Sequence, residues 1–223
     1  MTRGKASGVG TDKSAARRST RDPSRTRARI LDAAKSAFAE AGLGGARVDE
    51  IAARAEVNKR MIYHYFGNKD GLFLAVLERA YADIRAAEQS LDLGHLDPVE
   101  AIKTLVAFTW DYYLRNPEFL RLVNSENLHA GRHLAQSETI RDLHSPFVEM
   151  VAEILARGER TGVFRKGVDP VQLNITIAAL GYYYLTNQHT LSIIFDRDLM
   201  APDALAARVE FMIDNVLGYL IAR

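Results

Sequence analysis

Residues 57–70 read VNKRMIYHYFGNKD. Two bases, two tyrosines and a histidine lie between Lys59 and Tyr65, interleaved with Met61 and Ile62. A helical wheel at about 100° per residue sorts them into two faces. Lys59, Arg60, Tyr63 and His64 share one face, and Asn58, Met61, Ile62 and Tyr65 the other. Asn58 is suited to cap the helix by accepting from a free first-turn N–H, and Gly67 ends it. A three-residue turn, Ala55-Glu56-Val57, separates this segment from a short helix at about Asp49–Arg54, with Ile51 and Ala52 facing inward. Two short helices joined by a tight turn, the second presenting donors and rings outward, describe a helix-turn-helix. In that motif the second helix enters the major groove. There Lys and Arg donate to guanine O6 and N7, and apolar groups meet thymine methyls.

The surrounding sequence is helical throughout. From Thr26, apolar residues recur at Ile30, Ala33, Ala34, Ala37 and Phe38, the spacing of one helix face. The run GLGG, Gly42–Gly45, ends that helix. It is not a phosphate cradle, because no strand precedes it and no Lys-Ser/Thr follows. A long helix is expected from Lys69 to Ser90, with Leu72, Phe73, Val76, Leu77, Ala80 and Ile84 as its stripe. Further helices are predicted at Pro98–Arg115, Pro117–His129, Arg132–Leu143, Pro146–Thr161, Pro170–Thr190 and Pro202–Ala222. Prolines suit a first helical turn. No alternating strand pattern competes and no repeat is visible, so the chain reads as all-α with about nine helices. Residues 1–24 lack apolar periodicity and read as a disordered basic arm.

Composition narrows the function. The net charge is +1, yet residues 1–79 balance at +7 and residues 80–223 at −6. Such asymmetry suggests an end that faces nucleic acid and a body with another task. The first 29 residues, with 9 bases and 2 acids, account for the whole excess. Residues 30–79 are balanced at 7 and 7, so any DNA contact there depends on where the charges sit. Cysteine is absent, which excludes disulfides, thiolate metal sites and a cysteine nucleophile. No apolar run has the length of a membrane span, and no secretory signal is expected; a cytoplasmic location fits. There is no nucleophile elbow, P-loop, dinucleotide fingerprint or HExxH, so no enzyme is expected.

Residues 27–79 closely resemble the DNA-binding domain of TetR/AcrR-type transcriptional regulators. The resemblance rests on ILDAAKSAFAEAG and VDEIAARAEVNKRMIYHYFGNKDGLFLAVLE and their mutual spacing. Its marks here are Ile51-Ala52, Val57, Asn58, Tyr65-Phe66, Lys69 and Leu72. The resemblance implies a helix-turn-helix domain over residues 25–70, with the linking helix continuing to about 79. An effector-binding and dimerisation domain then spans 80–223. It implies that Lys59, Arg60 and Met61 meet base edges and that Tyr63 and His64 touch bases or phosphates. Tyr65 and Lys69 would clamp the backbone, with Arg47 approaching from the second helix and Asn58 at the cap. Two positions depart from the pattern. Val48 replaces a hydroxyl residue, leaving Asp49 to cap or Arg47 to take the phosphate. Glu56 replaces a glycine, at roughly 1 kcal/mol if its backbone is left-handed.

A palindromic operator in double-stranded DNA requires a homodimer. Its interface is expected on the last two helices, at Leu173, Ile177 and Tyr184 and at Val209, Met212, Ile213, Val216 and Leu220. The family likeness implies a small-molecule effector, bound among the middle helices, that favours the DNA-incompetent state. Polar groups on otherwise apolar helices are the candidate lining: Trp110, Tyr113, Arg121, Asn124, Asn127, His129, Tyr183, Asn187 and His189. Together they suit an aromatic or anionic molecule. His129 and His133 have i, i+4 spacing, with Glu126, His144 or His189 available to complete a site. Two histidines without a locally fixed third ligand do not make a metal site, so no metal or cofactor is assigned. The function read from sequence is a DNA-binding repressor released by its effector. The alternative is a ligand-binding or interaction protein of the same fold that has lost specific DNA binding.

Overall fold

The computed structural model describes residues 22–222, so most of the expected N-terminal arm lies outside the described residues. Among them are ten α-helices, one 3-10 turn and no strand beyond an isolated bridge between Phe164 and Ile221. No described helix is long and apolar enough to cross a membrane.

Helix α1 (Pro23–Gly45) begins earlier than Thr26, because Asp22 accepts from the Ser24 N–H and a proline follows it. Its axis breaks at Gly42, where φ is +66°. The break frees the Leu43 N–H, which donates to Ser125 Oγ at 3.2 Å. Next come α2 (Val48–Arg54), α3 (Lys59–Phe66) and the long α4 (Lys69–Gln89). Ile30, Phe38, Ile51, Ile62, Leu72 and Phe73 from these four helices are fully buried in one cluster.

Helices α5 (Pro98–Arg115), α6 (Pro117–Leu128), α7 (Glu138–Arg160), α8 (Pro170–Thr186), α9 (Gln188–Phe195) and α10 (Pro202–Leu220) form the body. α4 and α7 pack side by side, and α5 lies against α8 and α10. The head rests on the body chiefly through α1 against α6. The Arg157 guanidinium on α7 donates to the carbonyls of Leu93, Gly94 and Leu96, tying down the α4–α5 connection.

Two expected boundaries are corrected. Helix α7 runs unbroken through Pro146 and replaces the two helices expected at 132–143 and 146–161. Its buried stripe, Ile140, Phe147, Val151 and Ile154, continues in phase across the proline, and this packing offsets the lost ladder bond. The segment before it holds only a 3-10 turn, Leu134–Gln136. Buried Glu126 draws that backbone away from a helix, accepting the N–H groups of His133 at 2.8 Å and Leu134 at 3.0 Å. The helix expected at 170–190 instead breaks at Asn187, which ends α8 and starts α9.

The turn from α3 into α4 is the tightest approach in the head. A Cβ built on Gly71 would lie 2.2 Å from the Phe66 carbonyl oxygen, a backbone atom with little room to yield. Gly71→Ala is therefore expected to destabilise the chain by about 1–3 kcal/mol, measured by urea denaturation. Wild-type stability in this variant would contradict the close approach.

Candidate DNA-binding face and effector cavity

Helix α3 is capped as its sequence suggests: the Arg60 N–H donates to Asn58 Oδ1 at 2.8 Å. Ile62 is fully buried and anchors α3 to the core. Met61 and Tyr65 are half-buried, whereas Lys59, Arg60, Tyr63 and His64 are exposed. Tyr63, at 42%, presents a large ring to solvent. The next helix is capped by Asn68, which accepts from the Gly71 N–H at 2.7 Å. Lys69 reaches back from α4 to the Gly44 carbonyl at 3.3 Å. The outer face of α3 and the ends of α1, α2 and α4 thus form one rigid unit.

The turn between α2 and α3 is left-handed at Glu56, with φ +49°. Its side chain receives Arg29 from α1 at 2.8 Å, and the same guanidinium donates to the Ala55 carbonyl at 2.6 Å. Arg29 thereby holds a turn that lacks the glycine suited to its backbone. Asp49 does not cap α2; the cap residue is Arg47, which contributes no side-chain bond. Asp49 instead pairs with Lys59 at 2.8 Å. Its hydrogen bond to Lys59 holds that ammonium above the ordinary lysine pKa. Arg47 is exposed, with Nε 4.0 Å from Glu50.

In the body, a cavity of about 520 Å³ lies among α4, α5, α6, α7 and α8. Tyr81, Tyr113 and Phe119 supply aromatic walls, and Arg85, Glu88, Asn127 and His144 supply polar groups. Arg85 pairs with Glu88 at 2.9 Å, with 8% and 3% of the two side chains exposed. Burial pushes the Glu88 carboxyl up to about 7 and lowers the Arg85 guanidinium. Burial also lowers His144 below the usual imidazole value and raises the Tyr113 hydroxyl.

The model of bacterial regulatory proteins of the tetR family matches residues 30–76. That of the tetracyclin repressor-like C-terminal domain matches residues 98–216. The HTH-type transcriptional repressor NicS of Pseudomonas putida is 42% identical over 193 residues, covering 86% of this chain and 91% of that protein. The chain belongs to the TetR family. An HTH-type transcriptional repressor of Streptomyces coelicolor is 36% identical over 162 residues, covering 72% of this chain and 78% of its own. A putative transcriptional regulator from the same organism shares the fold, with a TM-score of 0.63 at 24% identity, covering 87% of this chain and 98% of the other. This TetR-family chain is thus a transcriptional regulator, in a family of DNA-binding proteins rather than enzymes.

The residues expected to line an effector site are scattered. Tyr113 and Asn127 line the large cavity. Arg121, Asn124 and His189, again with Tyr113, border a cleft of about 180 Å³ between α6 and the α8–α9 corner. Trp110 is buried edge-on against Tyr184 and serves packing. Tyr183 is exposed, and Asn187 shapes the corner by donating to the Tyr183 carbonyl at 2.9 Å. His129 faces the Ser125 carbonyl, near the head–body junction. His133 Nδ1 lies 2.5 Å from Glu126 Oε2, and among the described residues no His/Cys/Asp/Glu cluster is placed to hold a metal.

Sequence reasoning missed Tyr81, Arg85, Glu88, Thr109 and Asn174 as lining. The available signal was on α4, where Arg85 and Glu88 continue the stripe of Leu77, Ala80 and Ile84. Charges on a buried stripe mark a functional or tightly paired site.

Glu88 gives a pH signature. The unfolded carboxyl ionises near its ordinary 4.5, while the folded one keeps its proton to about 7. Between these values the folded state binds more protons, so stability falls as pH rises and levels off above about 7. Urea denaturation across this range should show a decline in the wild type that Glu88→Gln largely removes. Parallel profiles for the two proteins would refute it.

Proposed function

We propose that this chain is a repressor that binds a palindromic operator as a homodimer and is released by a small-molecule effector in the α4–α8 cavity. The observation that carries this reading is the exposed face of Lys59, Arg60, Tyr63 and His64 on a capped helix, joined by α4 to a cavity with buried charge. Lys59, Arg60 and Met61 are assigned to base edges, and Tyr63 and His64 to bases or phosphates. Arg47, Tyr65 and Lys69 are assigned to the phosphate backbone, and Asn58 holds the start of the helix in register. The effector is an aromatic or anionic molecule, supported by the Tyr81, Tyr113 and Phe119 walls and by Arg85. Repression of a chromosomal operator places the chain in the cytoplasm.

The dimer surface needs revision from the expected stripes. Leu173, Ile177, Met212, Val216 and Leu220 are buried within the protomer and cannot reach a partner. Tyr184, Val209 and Ile213 are half-buried against that same core. Among the exposed residues of the two helices, Tyr183 on α8 and Ala207, Phe211 and Gly218 on α10 are apolar or small and lie outside the α4–α8 cavity. These small and apolar residues are assigned to the interface, where close helix packing sets the roughly 34 Å between half-sites.

Two experiments test the reading. In a mobility-shift titration against the chain's own upstream DNA, Arg60→Ala should weaken binding by about 1–3 kcal/mol. Wild-type binding should fall steeply with salt; salt-independent binding, or unchanged affinity after Lys59 and Arg60 are both made alanine, would sink the assignment. Phe211, 54% exposed, and Met212, fully buried, separate interface from core. Phe211→Glu should shift the protein toward monomer in light scattering with little loss of protomer stability. Met212→Ala should instead cost about 2–5 kcal/mol. A dimer untouched by Phe211→Glu would move the interface elsewhere.

A further inference from the structure

Of three arginines on the body, Arg157, Arg165 and Arg208, only Nε is buried without a hydrogen-bond partner. Arg157 and Arg208 already donate through their terminal nitrogens to backbone carbonyls, and Arg165 lies over the Tyr219 ring. Arg85 differs. Its Nε and Nη1 are both buried with no hydrogen-bond partner among the described residues, and so is Glu88 Oε2. Nε and Nη1 carry three of the five N–H donors of a guanidinium. The group is also held in place: Cζ lies 4.2 Å from the centre of the Phe147 ring, and Nη2 forms an ion pair with Glu88 Oε1 at 2.9 Å. Both unsatisfied side chains border the cavity of about 520 Å³. Buried donors and acceptors are ordinarily satisfied, so a fixed, unsatisfied cation next to an unsatisfied carboxylate oxygen is unusual at a cavity wall.

We infer that the Arg85–Glu88 pair is the recognition element of the effector site and selects a small organic anion that also carries an N–H or O–H donor. This rests on the proposed effector role of the cavity and adds the chemistry that fills it. The anion meets the free guanidinium donors, and the ligand's own donor meets Glu88 Oε2. A neutral molecule would leave the Arg85 donors without a charged acceptor. An anion without a donor would meet the Glu88 carboxylate as a like charge. The ring walls of Tyr81, Tyr113 and Phe119 provide flat apolar surface for the rest of the ligand.

The test uses the full chain and three matched probes in calorimetry: 3-hydroxybenzoate, benzoate and 3-hydroxybenzamide. The hydroxy acid should bind about tenfold more tightly than benzoate, and the amide should bind least. Arg85→Lys, which keeps charge but loses the planar fork, should weaken both acids by roughly tenfold or more. Glu88→Gln should remove the advantage of the hydroxyl while leaving benzoate no weaker. If Arg85→Lys fails to fold, the ranking of probes on wild type and Glu88→Gln still decides. Amide binding as tight as acid binding, or no acid binding at millimolar concentration, overturns the inference, the unpaired donors then being satisfied by water. A mobility shift on the same preparation separates the two readings: operator binding that persists while the acids fail leaves the regulator standing and removes only the ligand class.

Discussion

Helix α4 is the member on which the two ends of the molecule depend. Its first turn is locked to the reading helix by the close approach of Gly71 to the Phe66 carbonyl, and to the end of α1 by Lys69 on Gly44. Its last two turns carry Arg85 and Glu88 to the cavity. From residue 71 to residue 85 is about 21 Å at 1.5 Å per residue. Between them the helix contains no proline, no glycine and no break, so it has none of the usual causes of a kink. Arg85 and the first turn of α4 therefore sit on one uninterrupted rod, so on the proposed effector reading a tilt begun at Arg85 would move α3 and change the fit of two heads about 34 Å apart.

A second link between head and body runs through α6. Glu126 is buried, and its carboxylate accepts two backbone N–H groups as well as facing His133. His133 is buried in turn, with Nε2 3.4 Å from Asp70 in the first turn of α4. The adjacent residue, Ser125, accepts from the Leu43 N–H at the break in α1. On the facing side of α6, Val123 and Asn127 line the cavity. The same short segment thus touches the cavity, the first turn of α4 and the end of α1. Buried networks of this kind tolerate partial loss poorly, which makes them discrete rather than graded connections.

Much of the fold was legible because local chemistry and tertiary packing agree. Pro98 and Pro170 each follow an aspartate that accepts from the first turn, and both begin helices. Pro146 misled because a local breaker was weighed above a stripe that stays in phase across it. The two faces of α3 were readable from eight residues, since one had to reach Ile62 into the core and the other could not. The dimer surface was not readable in the same way. On α8 and α10 large apolar residues also occupy exposed positions, such as Ile175, Tyr183, Phe211 and Tyr219, and the stronger stripe is the core one. The cavity was hidden for a different reason: its walls come from five helices, and only their assembly brings Arg85, Asn127, His144 and Tyr182 together.

The balanced charge of residues 30–79 acquires a physical meaning once its pairs are placed. Asp32 holds Arg79, Glu40 holds Arg54 and Asp49 holds Lys59, while Glu56 holds Arg29 from just before this stretch. Among the described residues, Arg60 and His64 on the outer face of α3 have no such ion-pair partner. The Asp49–Lys59 pair is exposed, with 66% and 43% of the side chains accessible, so it contributes little to stability. Within residues 30–79 the bases Arg54, Lys59 and Arg79 are thus already paired with carboxylates, and the cation left open on the outer face of α3 among the described residues is Arg60.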